Sequence, residues 1–462
     1  MNIPDNIDEL KALVRTLILK VSELEAENKD LRGRLNLNSQ NSSKPPSSDG
    51  LKKKPKPAFP RQPKGKQGGQ AKHQGDTLKM VANPDSVEVL RAEKCQCGHD
   101  LTGQSFKVLN RRQLFEIPHP KLNITEYQTT EVVCPKCGKV HVSEFPEGIN
   151  APTQYGLRAR LLVSLLNTGC KLSVKSTSDL FLDLFGYKMN ESTIVRANRR
   201  CYDKLEATAK AIQEEIIQSP TVHGDETGLR CEGKLRWLHV ASTDLYTYLF
   251  VHNKRGKDAL ESEQSILNRF RGWLIHDCWV SYFGFKHVSH GICGAHLLRE
   301  LEFLIEDKRQ WAKEFKALLL RLYESAIETD VENRTQIEQS YDEILRQADL
   351  EEPPPIKTGK RGRSKKSKGR NLLLRLQKFK PAVLAFAFHK EVPFTNNQAE
   401  RDLRPVKVKQ KISGCFRTIS GAESYARIAG FISTLRKHHL NVFKELCHVF
   451  EGHSYFLHAL AK

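Results

Sequence analysis

The chain has 462 residues, 39% of them hydrophobic, enough to build several cores and to fill three or four domains. Lys and Arg outnumber Asp and Glu by 74 to 54; the resulting charge of +20 favours polyanionic partners, nucleic acid before an anionic membrane. No apolar run reaches the roughly 18 residues of a membrane span and no basic stretch with an apolar core opens the chain, which predicts an intracellular protein with no membrane role.

Residues 7 to 35 carry a heptad. Ile7, Val14, Val21, Asn28 and Leu35 fall seven apart, and Leu10, Leu17, Leu24 and Leu31 form the second seam. The pattern predicts a parallel two-stranded coiled coil over residues 1–37, with Asn28 fixing register and strand number, and hence a homo-oligomer, a dimer at least. The other reading is one amphipathic helix packed on its own chain. Residues 38–75 are rich in Ser, Pro, Gly and Lys, as in Lys52-Lys-Lys-Pro-Lys-Pro57, and read as a basic disordered linker, either solvated or laid along phosphates.

Eleven Cys stand at irregular spacings with two close pairs, a usage that suits a reducing compartment. The pairs, Cys95-Gln-Cys97-Gly98 and Cys134-Pro-Lys-Cys137-Gly138, fall in residues 76–150. Each is a short turn that can aim two thiolates at one ion, so together they predict one closed, structural Zn²⁺ site. His99 or His141 could replace a ligand. Strand-like Lys121 to Thr130, with Arg111 and Arg112 before it, completes a small β-rich zinc ribbon that serves DNA contact or acts as a staple.

Residues 151–217 read as three helices: one with Leu157, Leu161, Leu162, Leu165 and Leu166 on a face, one from Ser173 to Phe185 ended by Gly186, and one from Ser192 to Ile217. The third offers Asn190 as N-cap and exposes Arg196, Arg199, Arg200 and Lys204. Helix, Gly turn and basic helix match a helix-turn-helix reader of the major groove, or else a spacer with a solvated basic face.

The last large unit is 218–450, followed by a tail at 451–462. Thr221 to Gly228, Arg236 to Val240 and Tyr246 to Val251 read as three antiparallel strands, Lys257 to Phe270 as a crossover helix, and Gly272 to Tyr282 as a fourth, parallel strand. This is the start of a ribonuclease H-like sheet, in which the first and fourth strands are neighbours. Asp225 and Asp277 are then adjacent, and a divalent cation between them removes their repulsion. Glu226 points to the opposite strand face. A third carboxylate is expected from Asn396-Asn397-Gln-Ala-Glu400-Arg401-Asp-Leu-Arg404, a short helix that ends or kinks at Pro405. Asn396, Glu400 and Arg404 share a face, and Arg401 and Arg404 beside Glu400 can clamp a phosphate.

The set Asp225-Glu-Thr-Gly228, Asp277-Cys-Trp279, Cys293-Gly-Ala-His-Leu-Leu-Arg-Glu-Leu301 and Asn396-Asn-Gln-Ala-Glu-Arg401 resembles the transposases of the insertion sequence 66 family. Asn38 to Asp49 and the Cys pairs extend the resemblance over nearly the whole chain. It implies a multidomain α+β protein: coiled coil, zinc ribbon, helical DNA-binding domain and ribonuclease H-like catalytic domain with a helical insertion at about 297–389. The insertion looks helical at Leu297–Ile305, Trp311–Glu328 and Leu372–Phe388. Its loop Lys357 to Arg370 holds eight basic residues in fourteen and would hold DNA through Lys360, Arg361, Arg363, Lys365 and Lys366.

The resemblance further implies that Asp225, Asp277 and Glu400 bind two Mg²⁺ or Mn²⁺ ions per active site, and that the protein cuts DNA at terminal inverted repeats and joins the freed 3′-hydroxyl to target DNA. Cys293 is expected in the core and His296 near DNA; Lys407, Lys409 and Lys411 could line the DNA path. Helper proteins of the same element and a bacterial, nucleoid-associated location follow from the same likeness. Two other classes stay open: a nuclease or resolvase of this fold that cuts without joining, and a catalytically inert, zinc-containing DNA-binding regulator.

Overall fold

The structure, a computed structural model, describes residues 6–35, 37, 41, 78–325, 331–355 and 366–452. It is a mixed α/β protein with fourteen α-helices among the described residues. None of those helices is long and apolar enough to cross a membrane. Lys360, Arg361, Arg363 and Lys365, together with most of the expected linker and tail, lie outside the described residues.

Helix α1 spans Ile7–Leu35, the length the heptad predicts. Leu10, Val14, Leu17, Val21, Leu24 and Leu31 of its two seams are all exposed in the single chain.

Within residues 78–150 each Cys pair sits at the tip of a turn. Cys95 N–H donates to His99 O and Gly98 N–H to Cys95 O, while Cys134 N–H donates to Lys139 O and Gly138 N–H to Cys134 O. Gly98 and Gly138 adopt φ of 88° and 69°, the left-handed conformation that glycine enters without strain. The second turn joins β1 (Glu131–Val133) to β2 (Val140–Val142). The stretch expected as a strand, Lys121 to Thr130, joins no ladder; pairing begins one residue later.

The helical unit follows: α2 (Leu157–Ser164), a π-helical turn (Leu165–Gly169), α3 (Val174–Phe185), α4 (Glu191–Lys204) and α5 (Glu206–Gln218). Gly186 ends α3, as the sequence predicts, and Ser173, expected as its first residue, instead caps it by accepting from Ser176 N–H. The expected single third helix is instead two, broken at Leu205, a fully buried residue around which the chain turns. Phe181, Met189, Ile194 and Ala197 fill the small core of this unit.

Strands β3 (Thr221–Cys231), β4 (Lys234–Ser242), β5 (Thr247–His252), β6 (Trp273–His276) and β7 (Ser289–Ile292) form one sheet of order β5-β4-β3-β6-β7. The first three are antiparallel, and β6 and β7 join in parallel beside β3. The crossover from β5 to β6 is a single helical turn, α6 (Lys257–Leu260), then tight turns; Ile266 and Phe270 hold it to the core without a longer helix.

Helices α7 (Gly294–Glu306), α8 (Gln310–Glu324), α9 (Val331–Glu351), α10 (Lys368–Lys378) and α11 (Lys380–Phe388) follow β7. They share a core around Trp311, Phe315 and Tyr341 that also takes in Ile275 and Ile292 of the sheet. The stretch expected as one helix from Leu372 to Phe388 is split at Phe379, where Pro381 opens the second helix.

The chain then returns to the sheet in α12 (Asn397–Ser413), α13 (Ile419–Lys437) and α14 (Val442–Glu451). Helix α12 neither stops nor is shortened at Pro405. Ala399, Leu403 and Val406 pack on Leu229, Leu238 and Val240, and this buried stripe on both sides of the proline carries the helix past the missing N–H.

Candidate active site

Asp225 lies in β3 and Asp277 one residue beyond β6. The parallel register ends with His223 opposite Ile275; Asp225 and Asp277 each follow two residues later, close enough for the charge of Asp277 to act on Asp225. Asp225 Oδ1 accepts from Glu226 N–H at 2.8 Å, and Asp277 Oδ1 from Trp279 N–H at 3.0 Å. Burial, then the charges of Glu226 and Asp277, push the Asp225 carboxyl up to about 8.

Strand alternation turns Glu226 away from Asp225, as expected. Its carboxylate accepts from Tyr282 Oη–H at 2.6 Å and from Arg255 Nε–H at 2.8 Å. The Arg255 guanidinium lies between two indoles, 5.0 Å from the Trp237 ring centre and 4.3 Å from that of Trp279. This network was not legible in the sequence; its signal is a second acid beside the first, at a strand position whose side chain is buried.

Glu400 comes from the first turn of α12. His296 Nε2 is 3.8 Å and Arg299 Nη2 4.0 Å from Glu400 Oε1. Burial opposes a charge on His296, but contact with Cys293 and the Glu400 charge outweigh it and hold the imidazolium up to about 9. The same imidazole lies near enough to Asp225 to draw its carboxyl down against the other effects. His296 therefore stands between the Asp pair and Glu400.

Asn396, the residue before α12, ties these parts together. Its Nδ2–H donates to Gly224 O at 2.8 Å, its Oδ1 accepts from His223 Nδ1 at 2.9 Å, and its backbone N–H donates to Cys293 Sγ at 3.1 Å. Burial keeps His223 neutral, which suits a single proton on Nδ1. Gly294 allows the close approach on the other side: a Cβ there would lie 2.3 Å from the Phe394 ring. Cys293 is fully buried, as expected.

A buried relay sets the loop that carries Asp277. Cys278 N–H donates to His276 Nδ1 at 3.2 Å, His276 Nε2 then donates to His290 Nδ1 at 3.2 Å, and His290 Nε2 donates to Phe285 O at 3.1 Å. Cys278 itself takes φ of 70°.

Two residues expected at DNA are buried. Asn396 is 1% exposed with its polar groups engaged, and Lys409 is 6% exposed with Nζ donating to Asn167 O and Leu172 O, so both face the interior. Arg401 is exposed. It lines a cavity on another side of α12, since neighbours in a helix are turned about 100° apart. Lys407 Nζ donates to Gly228 O. Asn397 and Arg404 are exposed, Lys366 is partly buried, and Arg196, Arg199, Arg200 and Lys204 are exposed along α4. Arg199 pairs with Asp203 at 3.2 Å, and Asn190 precedes α4 without a side-chain cap.

A divalent cation fits this donor set. Asp225 is buried under the charges of Glu226 and Asp277, and Glu400 Oε1 is buried without a hydrogen-bond partner, which leaves oxygens of the kind a hard cation takes. Among the described residues no three His, Cys, Asp or Glu side chains already converge on one point, and this holds for the four Cys of the two turns as well. Within each turn hydrogen bonds favour thiolate: those from the His99 backbone and Cys95 lower the Cys97 pKa, and those from the Cys137 and Lys136 backbone lower that of Cys134.

Residues 2–79 match a family of unknown function (DUF6444), and residues 153–424 match the Transposase IS66 family. No curated protein matches the chain. The second match covers 272 of 462 residues, more than half, and contains Asp225, Asp277, His296 and Glu400. The chain therefore belongs to the IS66 family of transposases.

Proposed function

We propose that Asp225, Asp277 and Glu400 form one metal-dependent site, in a ribonuclease H-like domain, that cuts DNA at the ends of an insertion sequence and joins the freed 3′ end to target DNA. The observation that carries the reading is that β3 and β6 lie side by side in parallel and bring Asp277 near enough for its charge to act on the buried Asp225 carboxyl, which is pushed up to about 8. Two Mg²⁺ or Mn²⁺ ions, when bound, supply an activated water or 3′-hydroxyl and stabilise the leaving oxygen. Asp225 and Asp277 hold them from the sheet and Glu400 from α12. Glu226, held by Tyr282 and Arg255, adds a fixed negative charge behind Asp225, and His296 and Arg299 orient Glu400. Arg404 and Asn397 on the exposed start of α12, with the basic face of α4, position phosphates. The protein works on DNA in the bacterial cytoplasm, and helper proteins of the element assist it.

The test is cleavage of labelled DNA carrying the element's ends, with Mg²⁺ or Mn²⁺ and with chelator. Asp277→Asn and Glu400→Gln are expected to abolish nicking while end binding persists. Full activity of the Glu400→Gln protein would remove it from the site.

Two supporting parts carry tests of their own. Helix α1 pairs with a second copy through its exposed Leu seams, and Asn28 sets the register. Leu17→Asp with Leu24→Asp is expected to halve the mass measured by sedimentation; an unchanged mass would assign the seam to this chain's own surface. Cys95, Cys97, Cys134 and Cys137 close around one structural Zn²⁺. Elemental analysis is expected to find one zinc per chain, and none after Cys97→Ser; zinc retained by that variant would give the ligand role to another group, such as His99.

A further inference from the structure

A cavity of about 350 Å³ opens where the helical unit, the sheet, α12 and α13 meet. It faces a side of α12 turned from Glu400: Gln398, Arg401, Asp402, Pro405 and Val406, at helical spacing, form one wall. Leu238, Leu249 and Ile432 make the interior apolar. Tyr425 also lines it and is 5% exposed, and its hydroxyl is buried with no hydrogen-bond partner among the described residues.

Charge gathers around the cavity. Lys171, Arg401, Arg436 and Lys437 all line it, against one acid, Asp402. That acid is already satisfied: Oδ2 accepts from Lys437 Nζ at 2.9 Å and from Gln398 Nε2 at 2.9 Å, and Oδ1 from Ser433 Oγ at 3.0 Å. Lys171, Arg401 and Arg436 have no carboxylate partner among the described residues. Lys171 Nζ donates to Gly169 O at 2.9 Å, and Lys171 holds φ of 67° in the segment after the π-helical turn, a backbone form that a side chain adopts only when its surroundings hold it.

We propose that this cavity takes a single unpaired nucleotide of DNA, its base against the apolar wall and the Tyr425 hydroxyl and its phosphate against Lys171, Arg401 and Arg436. The volume falls within the roughly 300–1,000 Å³ of small-ligand sites, room for one nucleotide and not for a duplex. Apolar walls with one free hydroxyl suit a base, which presents π-faces and a polar edge, and cations whose bonds go only to neutral oxygens, Lys171 to Gly169 O and Arg401 to Gln398 Oε1, suit a phosphate. Withdrawing a base from the stack costs a few kcal/mol, least where the base is already unpaired. The inference rests on DNA as partner and not on cleavage by the three carboxylates.

The experiment is fluorescence anisotropy with the full chain in chelator, comparing a paired duplex, the same duplex with one unpaired base, the same with an abasic nucleotide there, and competition by free dAMP. The unpaired base is expected to tighten binding about tenfold, the scale of one stacked base. That gain should vanish with the abasic nucleotide and with Ala429→Trp, since Ala429 lines the cavity and an indole there fills it, and should shrink with Tyr425→Phe and with Arg436→Gln. Asp225→Asn should keep it even though nicking is lost, which separates this inference from the catalytic one. Equal affinity for paired and unpaired duplexes overturns it, as does a gain that survives in a folded Ala429→Trp protein. Displacement by dAMP with no preference for the unpaired base assigns the cavity to a free nucleotide instead, and overturns it too.

Discussion

Asp225→Asn is expected to stop nicking, by a factor of about 10²–10³ or more, the scale of removing one preorganised charged group, and at the same time to raise the melting temperature of the metal-free protein. The two effects share a cause. Burial and the neighbouring Glu226 and Asp277 push the Asp225 carboxyl up to about 8, so at neutral pH a group that is ionised in the unfolded chain must take up a proton when the metal-free chain folds, which costs stability. An amide of the same shape is uncharged in both states and removes that cost. Saturating Mg²⁺ should raise the melting temperature of the wild type and leave the variant nearly unchanged. A variant that melts lower than the metal-free wild type would mean that Asp225 is a structural acid.

Asn396→Ala is expected to cost about 2–4 kcal/mol, because it leaves Gly224 O without its side-chain donor and His223 Nδ1 without an acceptor at a site 1% exposed. The melting temperature should fall by about 5 °C or more. Below that temperature nicking should drop by about 10²-fold with end binding kept, since a shift of roughly 1 Å between Glu400 and the Asp pair is enough to lose that much. Asn396→Asp keeps the acceptor for His223 and loses the donor to Gly224, so it should fall between the two. Equal melting and equal nicking for all three proteins would show that the tie across β3, Cys293 and α12 has no part in holding the site.

Much of the sheet was legible because its signals are local. Alternation marks β3, β4 and β5, an apolar run marks β6, and a carboxylate at the end of each of two strands is costly without a purpose. Parallel crossover rules make the first and fourth strands neighbours, and β3 and β6 do lie side by side. Where the sequence misled, the deciding contact was distant. Pro405 is a stop signal alone, yet Leu403 and Val406 are pinned to the sheet on either side of it. Lys409 reads as a DNA contact until the carbonyls of Asn167 and Leu172, more than 230 residues away in the chain, are seen around it. Asn396 reads as a surface amide for the same reason. Helix α9 escaped notice because its polar sequence, Val331–Glu351, shows no strong apolar stripe; Ile337, Tyr341 and Leu345 suffice to bury it.

The position of Glu400 has a consequence for synthesis. Asp225 and Asp277 leave the ribosome with the sheet, but the third acid comes 123 residues after Asp277, behind five helices that close a core of their own. A chain interrupted anywhere before residue 396 lacks Glu400, Asn396 and every lysine of α12. Nascent and truncated products can therefore fold in large part and still hold an incomplete set of carboxylates. On the proposed reading, the set of three carboxylates is complete only once nearly nine-tenths of the protein has been made.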